Sequence, residues 1–188
     1  TFHTGSRGYG LRVSPSNFTF NHIGHFAVAH EAVCKALFLG GVTRRFPRLK
    51  FAFLEGGVGW ACQLYADLIG HWEKRNLEAL EEVNPQNFDR AGFLKLAEAY
   101  GSPEMIEVLK RRKDRPGDGP ASLRAMAVGG VENLDDYAAC QIKRKEDLRD
   151  LFVDSFYFGC EADDPMNAWG FNRRNNPFKA RINALFGS

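Results

Sequence analysis

The sequence predicts a parallel α/β fold, the C-terminal half of a (β/α)8 TIM barrel with a helical insertion. Three observations predict it. Short apolar runs alternate with helical spacings, the order that builds a parallel sheet. The runs at 49–54 and 156–160 are apolar on both faces, as strands are when helices cover a parallel sheet. One strand end and three strands can be counted, whereas a complete barrel takes eight strands and about 250 residues. The chain opens at Thr1 and closes on an apolar strand, so it is expected to be cut at both ends. Its 188 residues, 44% hydrophobic with 16 Phe, suffice for the core of one domain.

Each element has a local reason. Residues 1–22 read as a strand end at Phe2 and a Gly/Ser/Pro-rich loop. Residues 23–46 read as a helix with Val28, Val33, Leu37 and Phe46 on its apolar side. Gly40-Gly41 weakens it and Pro47 ends it. A strand at 49–54 runs into the turn Glu55-Gly56-Gly57-Val58-Gly59. Ala61, Leu64, Tyr65, Leu68, Ile69 and Trp72 then recur at helical spacing.

From about 76 to 141 the chain reads as a polar, mostly helical insertion, longer than an ordinary β/α connection and suited to a lid or an oligomer interface. Inside it, Ser102-Pro103 starts a helix, Lys110–Lys113 closes it with positive charge, and 115–120 is a loop. A helix through Lys143–Leu148, a strand at 156–160, a turn at 161–165, a helix-like link and a strand at 182–186 complete the order.

Composition excludes several functions. Lys and Arg total 25 against 23 acidic residues, so no single-sign field favours nucleic acid. No apolar run reaches the roughly 18 residues of a membrane span. Cys34, Cys62, Cys140 and Cys160 form no C-x-x-C pair and read as buried free thiols of a cytoplasmic protein. No P-loop, dinucleotide fingerprint or nucleophile elbow occurs.

In parallel β/α folds the chemistry sits at the carboxyl ends of strands. Three such ends are polar here: His3 after Phe2, Glu55 after Leu54, and Glu161 with Asp163 and Asp164 after Cys160. Imidazole nitrogen and carboxylate oxygen together suit a divalent metal. Such a metal makes hydroxide near neutral pH, and a carboxylate beside it can act as general base. Each residue also has a structural reading. Glu55 can take N–H bonds from Gly56 and Gly57, and Asp163-Asp164-Pro165 can be a turn and N-cap. His22, His25 and His30 form a second group, in which His22 or His25 lining a pocket is favoured over a local zinc site.

Residues 40–57, Gly-Gly-Val-Thr-Arg-Arg-Phe-Pro-Arg-Leu-Lys-Phe-Ala-Phe-Leu-Glu-Gly-Gly, carry a resemblance. The chain resembles the amidohydrolase-related family that includes aminocarboxymuconate-semialdehyde decarboxylase and dihydroxybenzoate decarboxylases. The resemblance extends from His3 to Ser188 and is most specific at 40–60. It implies a distorted TIM barrel with a divalent metal, zinc or manganese. The family's ligands are an H-x-H pair on the first strand, a His ending the fifth, sometimes one ending the sixth, and an Asp ending the eighth. On that alignment His3 is the fifth-strand His, and Glu55 stands where the sixth-strand His usually does. Residues 156–160 and 182–186 are then strands seven and eight, and Gly187-Ser188 would directly precede the Asp.

The implied activity is a metal-dependent hydrolase or non-oxidative decarboxylase of a small carboxylate or amide-like substrate, inactive as this chain alone. Glu55 and His25 are the candidate catalytic residues, and His3 and Glu55 the candidate metal ligands. His22, Glu161, Asp163, Asp164 and Trp60 are the candidate pocket lining. A homo-oligomer is expected, with neither nucleic acid nor membrane as partner. The alternative is a non-catalytic barrel relative that binds or scaffolds. A doubly wound α/β binding domain without metal is the third reading, weakened by the missing phosphate-binding glycine loop.

Overall fold

A computed structural model describes residues 1–3, 13–81, 84, 87–111 and 134–186. The glycine-rich loop at 4–12, Arg112, Lys113, the side chain of Lys110, the loop at 115–120 and Gly187-Ser188 lie outside the described residues. The chain divides into two compact units, one of residues 1–76 with 136–188 and one of residues 77–135. In the first, helices α1 (Phe18–His22), α2 (His25–Leu39) and α3 (Val42–Arg45) precede strand β1 (Phe51–Phe53), and α4 (Gly59–Arg75) follows it. The second unit holds α5 (Leu77–Leu80), α6 (Arg90–Tyr100) and α7 (Pro103–Arg111). The first unit resumes with α8 (Lys145–Val153), β2 (Phe156–Cys160), α9 (Asn167–Phe171) and β3 (Asn183–Phe186).

The strands form a parallel sheet in the order β1-β2-β3. Phe2 extends it by a parallel bridge to Phe53. Its N–H donates to Ala52 O at 2.7 Å, and its carbonyl accepts from Leu54 N at 3.0 Å. Neighbours in sequence are therefore neighbours in the sheet, and all four segments run the same way. The α/β class stands, while no closed barrel forms among the described residues. The strand predicted at 49–54 is shorter, because Leu49 and Lys50 are exposed before the ladder begins at Phe51.

Side chains alternate across the strands. Phe53, Phe156 and Phe158 fall on one face and are buried. Phe152 of α8 packs on Phe156 (5.2 Å) and Phe158 (5.9 Å), and Trp60 of α4 meets Phe158 edge-on at 5.0 Å. Tyr65 of α4 closes the aromatic core against Phe152 at 5.3 Å. Burial of such rings is the main stabilising term, about 1.5–3 kcal/mol for each fully buried large side chain. Alternation puts Ala52, Tyr157, Asn183 and Leu185 on the other face, half-buried or exposed. The helix predicted from the spacing of Ala61 to Trp72 forms as Gly59–Arg75 and buries Ala61, Leu64, Tyr65, Leu68 and Ile69.

The single helix predicted over 23–46 is two helices, α2 and α3, parted at Gly40-Gly41, and the stretch before it, read as a loop, holds the short helix α1, capped by Asn17 and parted from α2 at Ile23-Gly24. The buried stripe of α2 is His30, Cys34 and Phe38, whereas Val28 and Phe46 are exposed. Periodicity misplaced this face because a buried His and Cys carry it in place of large aliphatic residues. Arg45 caps the break, its guanidinium donating to Gly40 O at 2.7 Å.

All four cysteines are buried and free. Burial pushes the Cys62 thiol up to about 11 and raises Cys34 and Cys160 as well. Cys140 Sγ donates to Phe38 O at 2.9 Å. Among the described residues no helix is long and apolar enough to cross a membrane.

In the second unit, the N-termini are capped as the sequence predicts for α7. Ser102 Oγ accepts from Met105 N at 3.3 Å, and Asp89 accepts from Gly92 N at 2.8 Å at the start of α6. Leu94, Ala97, Ile106 and Leu109 line the cleft between α6 and α7.

Candidate functional site

Because the strands are parallel, Phe2-His3, Leu54-Glu55 and Cys160-Glu161 all finish at one edge of the sheet. There His3 Nε2 stands 3.4 Å from Glu55 Oε1. Both side chains are more than half exposed, at 54% and 58%. As an ion pair such a contact contributes little, because water screens it. The separation also has a coordination meaning. Two ligands bonded at about 2.1 Å to a tetrahedral metal stand about 3.4 Å apart. The donor set, one imidazole and one carboxylate, fits zinc or manganese. It supplies two positions of a shell, and no group of three or more His, Cys, Asp or Glu gathers for a metal among the described residues.

Glu55 adopts a left-handed backbone, φ 62°, and Gly57 follows at φ 73°. A non-glycine residue held there is strained, and such strain persists where the surroundings fix it. Gly57 N–H donates to Gly159 O at 2.9 Å, tying the turn to β2. That N–H is thus committed to the neighbouring strand, which removes one donor from the reading of Glu55 as a carboxylate capped by its own glycines.

The acidic cluster after β2 is largely a turn. Asp164 Oδ1 accepts from Met166 N at 2.8 Å, and Asn167 Nδ2 donates to Glu161 O at 2.6 Å. The other Asp164 oxygen lies 3.4 Å from where a Cβ on Gly57 would stand, so the turn sits beside the Glu55 loop. Glu161 and Asp163 are exposed on its rim. The structure does not gather them with His3 and Glu55 into a ligand group.

Four of the five histidines meet around one ring. The Phe26 centroid lies 5.7 Å from His3, 5.7 Å from His22, 5.4 Å from His25 and 6.4 Å from His30. His22 and His25 sit on separate helices, joined by Phe26 rather than by a shared helical face. The spacing of Phe26 and His30, four apart on α2, was a signal in the sequence; the approach of His22 and His3 to the same ring was not. His71, the fifth, is on α4, where its Nδ1 meets Asp67 O at 2.7 Å.

His30, outside the predicted site residues, is 2% exposed. Neither of its ring nitrogens has a hydrogen-bond partner among the described residues, and the same holds for Trp60 Nε1. Burial, aided by the charge of His3, holds the His30 imidazole below its ordinary value. Trp60, predicted to line a pocket, instead packs its ring on Phe53 (5.7 Å) and Phe158 (5.0 Å), with its Nε1 buried. Compared with known proteins, the chain matches no family model, no curated protein and no solved structure.

Proposed function

We propose that the chain carries part of the active site of a metal-dependent hydrolase or non-oxidative decarboxylase acting on a small carboxylate or amide-like substrate. The observation that carries the reading is the His3–Glu55 pair. Its two donors stand at the separation two metal ligands take, on a strained turn at the carboxyl edge of a parallel sheet. The sequential strand order, with aromatic helix packing on one face, supports the half-barrel expected from the sequence.

A bound zinc or manganese ion would polarise a substrate oxygen and lower the pKa of water. His3 and Glu55 would hold it. Glu55 can alternatively take the proton from water, and His25, which like His3 meets the Phe26 ring, would hold a proton. His22, Trp60, Glu161, Asp163 and Asp164 would line the pocket beside them.

The test is metal content by elemental mass spectrometry, on this chain and on a version extended at both ends. Stoichiometric zinc or manganese in the extended protein, lost in His3→Ala together with turnover, is the expected result. No metal in either version would overturn the reading. It would favour a non-catalytic barrel relative, a binding protein in which His3 and Glu55 are simply an ion pair.

A further inference from the structure

Helices α6 and α7 carry more apolar surface than each can cover on the other. Leu94 and Ala97 of α6 face the cleft, and Ile106 and Leu109 of α7 line it too. One position before each of them stands another large apolar residue: Phe93, Leu96, Met105 and Val108. A helix turns about 100° per residue, so these four are rotated out of the cleft in the same sense. All four are exposed. The two-residue link Gly101-Ser102 turns the chain back, which makes α6 and α7 antiparallel neighbours. In an antiparallel pair, equal offsets bring both stripes to the same side of the hairpin.

The stripe continues at both ends. Tyr100 follows Leu96 by four residues and is 86% exposed. Phe88, just before the Asp89 cap, meets Phe93 at 5.5 Å, a hydrophobic staple that fixes the start of α6. The helical period turns Lys95, Glu98 and Glu107 away from this side. Glu104 and Arg111, on its border, are two turns apart on α7. An antiparallel copy of α7 would set these opposite charges against each other.

We propose that this face is covered by the same face of a second copy of the chain, the two hairpins closing a four-helix bundle about a twofold axis. Area supports that occupant. Phe88, Phe93, Leu96, Tyr100, Met105 and Val108 together expose roughly 600 Å2, at about 150–250 Å2 for a whole large side chain. Two such faces bury about 1,200 Å2, above the roughly 1,000 Å2 that a specific interface needs. Symmetry supports it as well, because a patch that pairs with itself is what a twofold dimer uses. Two short helices leave these apolar arcs in water, whereas four pack them around one core. The pairing gives the helical insertion an oligomer interface that owes nothing to the chemistry at the strand edge.

Sedimentation velocity separates this face from the edge of the sheet. Leu185→Lys with Phe186→Lys removes the apolar end of β3, and that chain should still run at twice the 21.1 kDa monomer at micromolar concentration. Adding Leu96→Glu and Val108→Glu should return it to the monomer, weakening association at least a hundredfold. A monomeric sheet-edge variant overturns the proposal, as does a dimer that survives both hairpin charges. Should those charges unfold the hairpin, Tyr100→Trp in the sheet-edge variant gives a second reading. The emission it adds should shift to the blue as the chain is concentrated from nanomolar to micromolar. Emission that ignores concentration overturns the proposal: at the red end the face stays bare, and at the blue end another segment of the same chain covers it.

Discussion

Glu55 is a carboxylate on a backbone that favours glycine, φ 62°. The left-handed conformation costs an L-residue roughly 1–2 kcal/mol. Glu55→Gly removes that cost and Glu55→Ala keeps it. Urea unfolding should therefore find the Gly variant more stable than the Ala variant by about 1 kcal/mol, with both losing metal in the extended protein. Equal midpoints would contradict the strain. His30 sets a pH dependence. Its folded-state value lies below the ordinary 6.5 because burial, with help from His3, disfavours the imidazolium. The unfolded chain takes the proton first, so stability is full above 6.5 and falls as the pH drops below it. Unfolding midpoints between pH 7.5 and 5.5 should decline in the native chain and flatten in His30→Gln.

The helix that the sequence places over 23–46 is interrupted where Gly41 lies at φ 70°. A Cβ at Gly41 would stand 2.0 Å from the backbone oxygen of Ala139. That oxygen belongs to a 3-10 turn at Ala138–Cys140, which Arg44 also holds through Cys140 O at 2.9 Å. Gly41→Ala should thus destabilise the first unit by more than about 2 kcal/mol. Gly70, mid-helix in α4, meets nothing within 4 Å. There the same change should stabilise by roughly 0.5–1 kcal/mol. Thermal or urea unfolding of the two variants checks both signs. The Gly40-Gly41 break was visible in the sequence. The close approach of Ala139 was not, because no local pattern reports a neighbour a hundred residues away.

Among the described residues, the sheet is covered by helices on the face of Phe53, Phe156 and Phe158, while on the other face Ala52 and Tyr157 are half-buried and Leu185 is exposed. Parallel sheets are stable when both faces are covered. β3 is also an edge strand, with Leu185 38% and Phe186 50% exposed. Open edges and apolar faces pair with other chains. The chain should self-associate, and sedimentation equilibrium at micromolar concentration should give a mass above the 21.1 kDa monomer. A monodisperse monomer would contradict this.

The sequence by itself determined the parallel α/β class, the buried thiols, an aromatic strand within 49–54 and another at 156–160, and the edge on which the polar residues stand. These follow from local periodicity and from strand direction, which short stretches encode. Only the tertiary structure decided that His3 touches Glu55, that Asp164 serves a turn, and that four histidines share Phe26. His30 and Trp60 came together in the same way, each unremarkable in its own helix. Such meetings depend on sheet register and on how helices cross back over strands. Those are set by the packing of the whole core, so no window of sequence contains them.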